Sequence, residues 1–202
     1  MFVAMEERNL PPPGAPAARL EVVPGTHPLR ASLEQFIAAR FDRAHGACVS
    51  HFLPHLVGMR DARSRWKAAL GYGAAIDGPL FLERYLDRPI EEALTVALGW
   101  PVHRAGIVEA GNLTAVSAGA ARALIPLLAR HLHQLGYRWV VFTATREVRN
   151  SFSRLGLQPL QLAQADPVRL PDAGASWGRY YQHDPRVMAG KIALGLQARE
   201  SA

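Results

Sequence analysis

Glu109 stands two residues before Gly111 in the run Ile107–Leu113, and the chain then turns through small residues from Val116 to Arg122. A carboxylate in a half-buried cleft acquires the raised pKa that a general base needs. A glycine inside a strand marks a bulge or a close backbone approach. A bulge leaves backbone groups unpaired, and these can bind an extended, amide-bearing ligand. The turn Val-Ser-Ala-Gly-Ala-Ala that follows opens a helix, so its N–H groups can converge on a pyrophosphate, with Arg122 adding charge nearby. The same pattern also describes a strand–helix–strand unit whose small residues simply allow close packing.

Each further candidate has two readings. Glu109 is either a base or substrate contact, or an ion-pair partner of an arginine such as Arg104 or Arg146. Glu83, among the apolar residues of Leu80–Tyr85, could hold a substrate ammonium or form a structural salt bridge. Asn112 can bond ligand or backbone. Trp177 and Tyr180 could line an acyl or acceptor pocket, or belong to the core. His51 and His55 do not make a metal site, because Pro54 between them argues against a helix.

The elements that must position these residues follow from periodicity. Leu33, Phe36, Ile37 and Phe41 give helical spacing over residues 30–44. Residues 47–60 read as extended, interrupted by Pro54, and a polar turn at Asp61–Ser64 leads into Trp66–Tyr72, which predicts a hairpin. Leu80–Tyr85 reads as a third strand, and Pro89 opens a helix over Ile90–Leu98 with Glu91 and Glu92 in its first turn. Ala121, Leu124, Ile125, Leu128, Leu132 and Leu135 recur at helical spacing, ending at Gly136, despite Pro126. Trp139–Phe142 is a buried strand, and the crossover from residue 107 to 143 is expected to be parallel and right-handed. Pro159–Ala163 and Trp177–Gln182 read as strands, and Pro185–Leu196 as a helix. The sum is a mixed α/β sheet.

At 202 residues the length suits one domain, and 49% apolar with 20% charged residues is ordinary for a globular protein. Residues 1–28 hold Pro11, Pro12, Pro13, Pro16, Pro24 and Pro28 and read as a flexible tail, leaving 29–202 as the domain. The single cysteine, Cys48, excludes an internal disulfide. No apolar run reaches the length of a membrane span, and the N-terminus lacks secretory character, so a cytoplasmic location is expected. The net charge of +6 suits an acidic carrier protein, a phosphorylated cofactor, anionic lipid or nucleic acid. No nucleic-acid-reading motif accompanies it, so no nucleic-acid partner is expected.

The wording of the central unit resembles the GNAT superfamily of acyltransferases. There a bulged strand leads into a turn of pattern Gln/Arg-x-x-Gly-x-Gly/Ala that holds the coenzyme A pyrophosphate; Val116, Gly119 and Ala121 occupy those positions here, with Val116 departing from the pattern. The superfamily's later Asn and Tyr-x-x-x-Gly-Phe correspond to Asn150 and to Phe152–Leu157, so the tyrosine acid is replaced by Phe152. The phrases LFLERYLD (80–87), IVEAGNL (107–113), GAARALI (119–125), WVVFTATREVRN (139–150) and WGRYY (177–181) more closely resemble the thermostable hemolysin family, regarded as GNAT-like and similar to acyl-homoserine-lactone synthases.

The resemblance implies a mostly antiparallel sheet with a central parallel strand–helix–strand crossover and a V-shaped gap. It implies an enzyme moving an acyl group, long chains included, from acyl-CoA or the phosphopantetheine of acyl carrier protein to an amine-bearing small molecule, with no permanently bound cofactor. The donor would lie along Leu113, Ala115, Val116, Ser117, Gly119, Ala121, Arg122 and Asn150. Glu109 or Glu83 would act in catalysis, and Asn112, Trp177 and Tyr180 on the acceptor. The alternative taken from the family name is a membrane-active protein without enzymatic activity.

Overall fold

The computed structural model describes residues 20–197. Seven strands form one sheet: β1 (Glu21–Val23), β2 (His55–Arg60), β3 (Trp66–Ala74), β4 (Ile107–Ala115), β5 (Trp139–Ala144), β6 (Leu160–Gln164) and β7 (Arg186–Lys191), in the order β1-β2-β3-β4-β5-β7-β6. Only β4 and β5 run parallel; every other pair is antiparallel. The expected hairpin, crossover and mixed, mostly antiparallel sheet are all present.

Helices cover both faces because strand alternation supplies two apolar surfaces. α3 (Ala118–Gln134) sets Leu124, Leu128 and Leu132 against Val57, Leu70, Val108 and Phe142. Ser117 starts this helix by accepting a hydrogen bond from the Ala120 N–H at 3.2 Å. The apolar stripe stops one turn early, since Leu135 is 52% exposed. On the other face, α1 (Arg30–His45) packs Leu33, Ile37 and Phe41 on Val23, Leu56 and Ala69. α2 (Ile90–Leu98) packs Ile90 and Leu94 beside Ile107, Val141 and Val187. The short helices α4 (Arg146–Arg154) and α5 (Ile192–Gly195) complete the α3 side.

Three segments differ from the sequence-based expectation. Leu80–Tyr85 is not a strand; Phe81–Tyr85 is a 3-10 turn. Its N–H groups go to carboxylates instead of a neighbouring strand, Leu80 donating to Glu83 and both Phe81 and Leu82 to Glu109. Trp177–Gln182 is likewise not a strand but two 3-10 turns, Ala175–Trp177 and Tyr180–His183. Residues 186–191 form β7 in place of the expected helix, and only Ile192–Gly195 is helical. Val187, Met188 and Ala189 are buried consecutively on both sheet faces, so the run carries no period that separates strand from helix. Of the stretch expected as a tail, residues 1–19 lie outside the described residues, while Glu21–Val23 is an edge strand paired with Leu56–Gly58.

The turn at 175–183 is fastened to the end of α1. The Arg179 N–H donates to the His45 carbonyl at 2.8 Å, and the Cys48 N–H to the Ser176 carbonyl at 2.8 Å. Gly178 makes the close approach possible. It sits at φ 54°, ψ −122°, and a Cβ there would lie 2.3 Å from the His45 carbonyl oxygen. Gly178→Ala should therefore lower stability by about 2 kcal/mol or more, whereas Gly25→Ala, where a Cβ meets nothing within 4 Å, should leave Tm unchanged. Thermal melts of the two variants check this.

Candidate active site

β4 and β5 are joined over four residue pairs, from Ile107↔Trp139 to Ala110↔Phe142, and then part. Each keeps its outer neighbour past that point. β3 follows β4 as far as Ala68↔Ala115, and β7 follows β5 as far as Ala144↔Arg186. The result is a V-shaped opening between Gly111–Ala115 and Thr143–Ala144. A bulge lies at its apex, where β4 spends three steps, Gly111 to Thr114, against two on β3, Gly71 to Ala69. Asn112 takes the left-handed φ of 56° that the bulge requires. Its side chain accepts from the Leu53 N–H at 3.3 Å and donates to the His51 carbonyl at 3.3 Å, tying the segment before β2 to the bulge.

A channel of about 490 Å³ passes through this opening, within the range of about 300–1,000 Å³ usual for small-molecule sites. Gly111, Leu113, Thr143 and Phe152 line it at the opening, and Leu128, Leu132 and Val140 along the α3 face. On the opposite face it meets Phe41, Phe81, Trp177 and Tyr180. Their rings form one wall, with Trp177 at 5.2 Å from Tyr180, 5.8 Å from Phe81 and 6.3 Å from Phe41 between centroids.

Glu109 lies in this channel, 5% exposed, on the same strand face as Ile107. Its carboxylate accepts from the Phe81 N–H at 2.8 Å and the Leu82 N–H at 3.1 Å. Burial dominates its titration and pushes the carboxyl up to about 7, against the pull of those two donors. Arg104, one of the partners considered for Glu109, forks instead to Glu83 at 2.6 and 3.0 Å and to Glu91 at 2.7 Å.

Glu83 is consumed by structure. Besides Arg104 it accepts from the Leu80 N–H at 2.7 Å and the Ile90 N–H at 2.8 Å, and it is not among the channel's lining residues. Burial raises its pKa, yet the Arg104 hydrogen bond and the two amides together hold it below the usual carboxylate range. That is a charged clamp between the 81–85 turn, α2 and the start of β4. It leaves Glu83 no free oxygen lone pair directed at the channel's acid–base chemistry, so the salt-bridge reading of this residue fits the geometry.

The residues expected to hold the donor fall into three groups. Leu113 is half-buried in the splayed part of β4 and lines the channel, and Ala115 ends that strand. The Ala115 carbonyl accepts from Arg40 Nη2 at 2.7 Å. Val116 continues the sheet by donating its N–H to the Lys67 carbonyl at 2.8 Å, with its side chain 40% exposed. Ser117, Gly119, Ala121 and Arg122 form the first turn of α3, where the Ala118 and Gly119 amides have no intrahelical acceptor. Asn150 is exposed on α4, across the opening. Phe152, two residues on, stacks on Phe142 at 4.8 Å and presents no acid.

Sequence reasoning missed Phe41, Phe81 and His45. His45 lies at the end of α1, lines the channel, and has a buried Nδ1 without a hydrogen-bond partner. Its ring is 5.3 Å from Tyr180 and 5.0 Å from His183, which in turn meets Glu147 at 3.2 Å. Burial, then the charge of His183, lowers the His45 pKa. No local pattern marks these residues, because α1 and the 175–183 turn meet only in the folded chain.

A family model described as thermostable hemolysin matches residues 23–196. Solved structures share the fold at low identity. The acyl-homoserine-lactone synthase LasI superposes with a TM-score of 0.60 and 13% identity, over 89% of this chain and 91% of that one. FeeM, an N-acyl amino acid synthase from uncultured soil microbes, gives 0.59 and 12%, over 92% and 96%. BjaI, a CoA-dependent acyl-homoserine lactone synthase described with SAM and isopentyl-CoA, gives 0.56 and 13%, over 89% and 86%. No curated protein sequence matches the chain significantly. The match agrees with the family resemblance read from the phrases between Leu80 and Tyr181, and the fold is the GNAT-like one that resemblance implied.

The buried Glu109 couples stability to pH. Its folded pKa is raised, so the folded state binds the proton more tightly than the unfolded chain. Stability contributed by the protonated form is present below the ordinary carboxyl pKa and is lost as pH rises towards about 7. A tenfold difference in proton affinity between the two states is worth about 1.4 kcal/mol, so the loss across this window should reach a few kcal/mol. Urea unfolding of Glu109→Gln should show a flatter pH dependence between about 4.5 and 7 than the parent.

Proposed function

The chain belongs to the thermostable hemolysin family, and on that premise we propose that it transfers an acyl group from a pantetheine thioester to the amine of a small molecule. The observation that carries this reading is the parting of β4 from β5 beside a buried carboxylate. The splayed segment Gly111–Ala115 has no β5 partner, so its backbone can pair with the amides of a pantetheine arm as a further strand would. The free amides at the start of α3 then lie where the donor's phosphate would follow. Those elements suit coenzyme A and acyl carrier protein alike, since both present phosphopantetheine. The net charge of +6 favours attraction of an acidic carrier.

The reaction needs few groups. An amine nitrogen attacks the thioester carbonyl carbon, the C–S bond breaks, and an amide and a free thiol result. Most of the acceleration in such a site comes from holding the two reactants in line. Glu109 takes the amine proton, directly or through one water, and a pKa near 7 suits a base working at neutral pH. The leaving group is a thiolate, a far weaker base than the amine that displaces it would be as an anion, so the reading has it depart without the tyrosine acid that Phe152 replaces. Apolar side chains at Leu128, Leu132 and Val140 line the channel beyond the opening, which suits a long acyl chain. Phe41, Trp177 and Tyr180 stand on the other face, as the wall against which the acceptor rests. BjaI, a CoA-dependent acyl-homoserine lactone synthase, and FeeM, an N-acyl amino acid synthase, share the fold that this reading requires.

Purified protein incubated with octanoyl-CoA or octanoyl-acyl carrier protein and a panel of primary amines, amino acids and SAM included, should release free thiol in an amine-dependent way. The rate should rise with pH as Glu109 ionises, with a midpoint near 7. Glu109→Gln should lower it by about 10²-fold or more, while Glu83→Gln should act chiefly on thermal stability. No thiol release with any pair, together with no donor binding by calorimetry, would sink the reading.

A further inference from the structure

The channel does not end at the catalytic opening. Its lining continues past Val140 to Lys191, Leu194 and Trp100, at the end of the sheet where β4 and β5 begin and β7 finishes. That end of the molecule exposes large apolar side chains from three separate helices. Trp100, just past α2, is 55% exposed, Leu135, just past α3, 52%, and Leu194 on α5 53%. Scattered single exposures are ordinary, but Trp100 and Leu194 both line this end of the channel, and Leu135 directly precedes Gly136 of the depression beside it. Arg138 and Lys191 share a surface depression with Trp100, Tyr137 and Trp139 at the same end. Neither cation is in an ion pair among the described residues.

We infer that this end of the molecule docks on an anionic lipid surface, so that the far mouth of the channel opens onto the membrane. The chemistry of the patch fits that occupant on three counts. Its apolar side chains can enter the acyl boundary, where each methylene removed from water favours binding. Trp100 and Tyr137 are aromatics with a polar edge, the type enriched at the headgroup level. Arg138 and Lys191 flank them with positive charge, which an anionic leaflet attracts. A lipid surface gives that mouth a purpose, because an acyl product can pass from the channel into the bilayer without crossing water.

This mode of binding is peripheral. No helix among the described residues is long and apolar enough to cross a membrane. The inference extends the acyl-channel reading, but its test is independent of catalysis.

The test is co-sedimentation of the full chain with vesicles of phosphatidylcholine alone or mixed with phosphatidylglycerol. Binding is expected to the mixed vesicles and to weaken with added salt, with a blue shift of tryptophan emission. The double variant Leu135→Glu/Leu194→Glu should bind about tenfold more weakly, and Arg138→Glu should lose the preference for the anionic lipid. Circular dichroism melts matching the parent would establish that both variants fold. Absence of vesicle binding by the parent overturns the inference, as does binding that these variants leave unchanged. A concentration-dependent dimer without lipid, abolished by the same double variant, also overturns it, because a second copy would then occupy the face. Thiol release in the amine assay judges the acyltransferase reading separately, whichever way the vesicles behave.

Discussion

Everything proposed for this chain depends on the failure of β4 and β5 to stay paired beyond Ala110 and Phe142. The sheet is two half-sheets, β1-β2-β3-β4 and β5-β7-β6, hinged on four residue pairs. A bulge turns β4 away, and the segment before β2 holds the bulge in place. Leu53 packs over Gly71 and Gly111 so closely that a Cβ on Gly71 would lie 2.9 Å from Leu53 Cβ, and one on Gly111 would lie 3.1 Å from Leu53 Cδ1. Asn112 then bonds the backbone on both sides of Phe52, through His51 and Leu53. These bonds shape the opening by fixing the strand that borders it, and Asn112 also lines the channel.

The second constraint is the burial of Glu109, an unfavourable place for charge that the fold maintains by indirect means. Its two hydrogen-bond donors are backbone amides of the 81–85 turn. That turn is fixed by Glu83, and Glu83 is fixed by Arg104, whose guanidinium also reaches the Ala75 and Gly78 carbonyls at 2.8 Å. One arginine thus ties the segment after β3, the turn, α2 and the start of β4 together behind the carboxylate. Glu83 and Glu109, equal candidates in sequence, divide the work by environment. Arg104 keeps Glu83 ionised and occupied, while desolvation leaves Glu109 able to exchange a proton near neutral pH.

The sequence made the crossover legible because its signals are local. The small-residue turn before the helix, the stripe Leu124–Leu132 and the terminating Gly136 act within one helix, and the buried run at Trp139 follows immediately. Glu109 and the bulge were legible for the same reason, a carboxylate and a glycine inside one apolar strand. The segments read wrongly are those whose backbone partners are distant. Residues 81–85 are turned by Glu109, and 177–182 by the carbonyl of His45. β7 takes its backbone partners from two other strands, β5 on one side and β6 on the other. His45 and Phe41 escaped notice because a helix that packs as core on most of its length gives no sign of which end faces a channel.

The central claim is that the edge of Gly111–Ala115 left without a β5 partner receives the donor's pantetheine arm. Amide hydrogen exchange with and without S-octanoyl-pantetheine, the portion common to both donor types, tests it most directly. The account predicts slowed exchange within Gly111–Ala115 on saturation, with little change in the amides of β2 and β6. Saturable binding that leaves Gly111–Ala115 unprotected, or no binding at all, would contradict it.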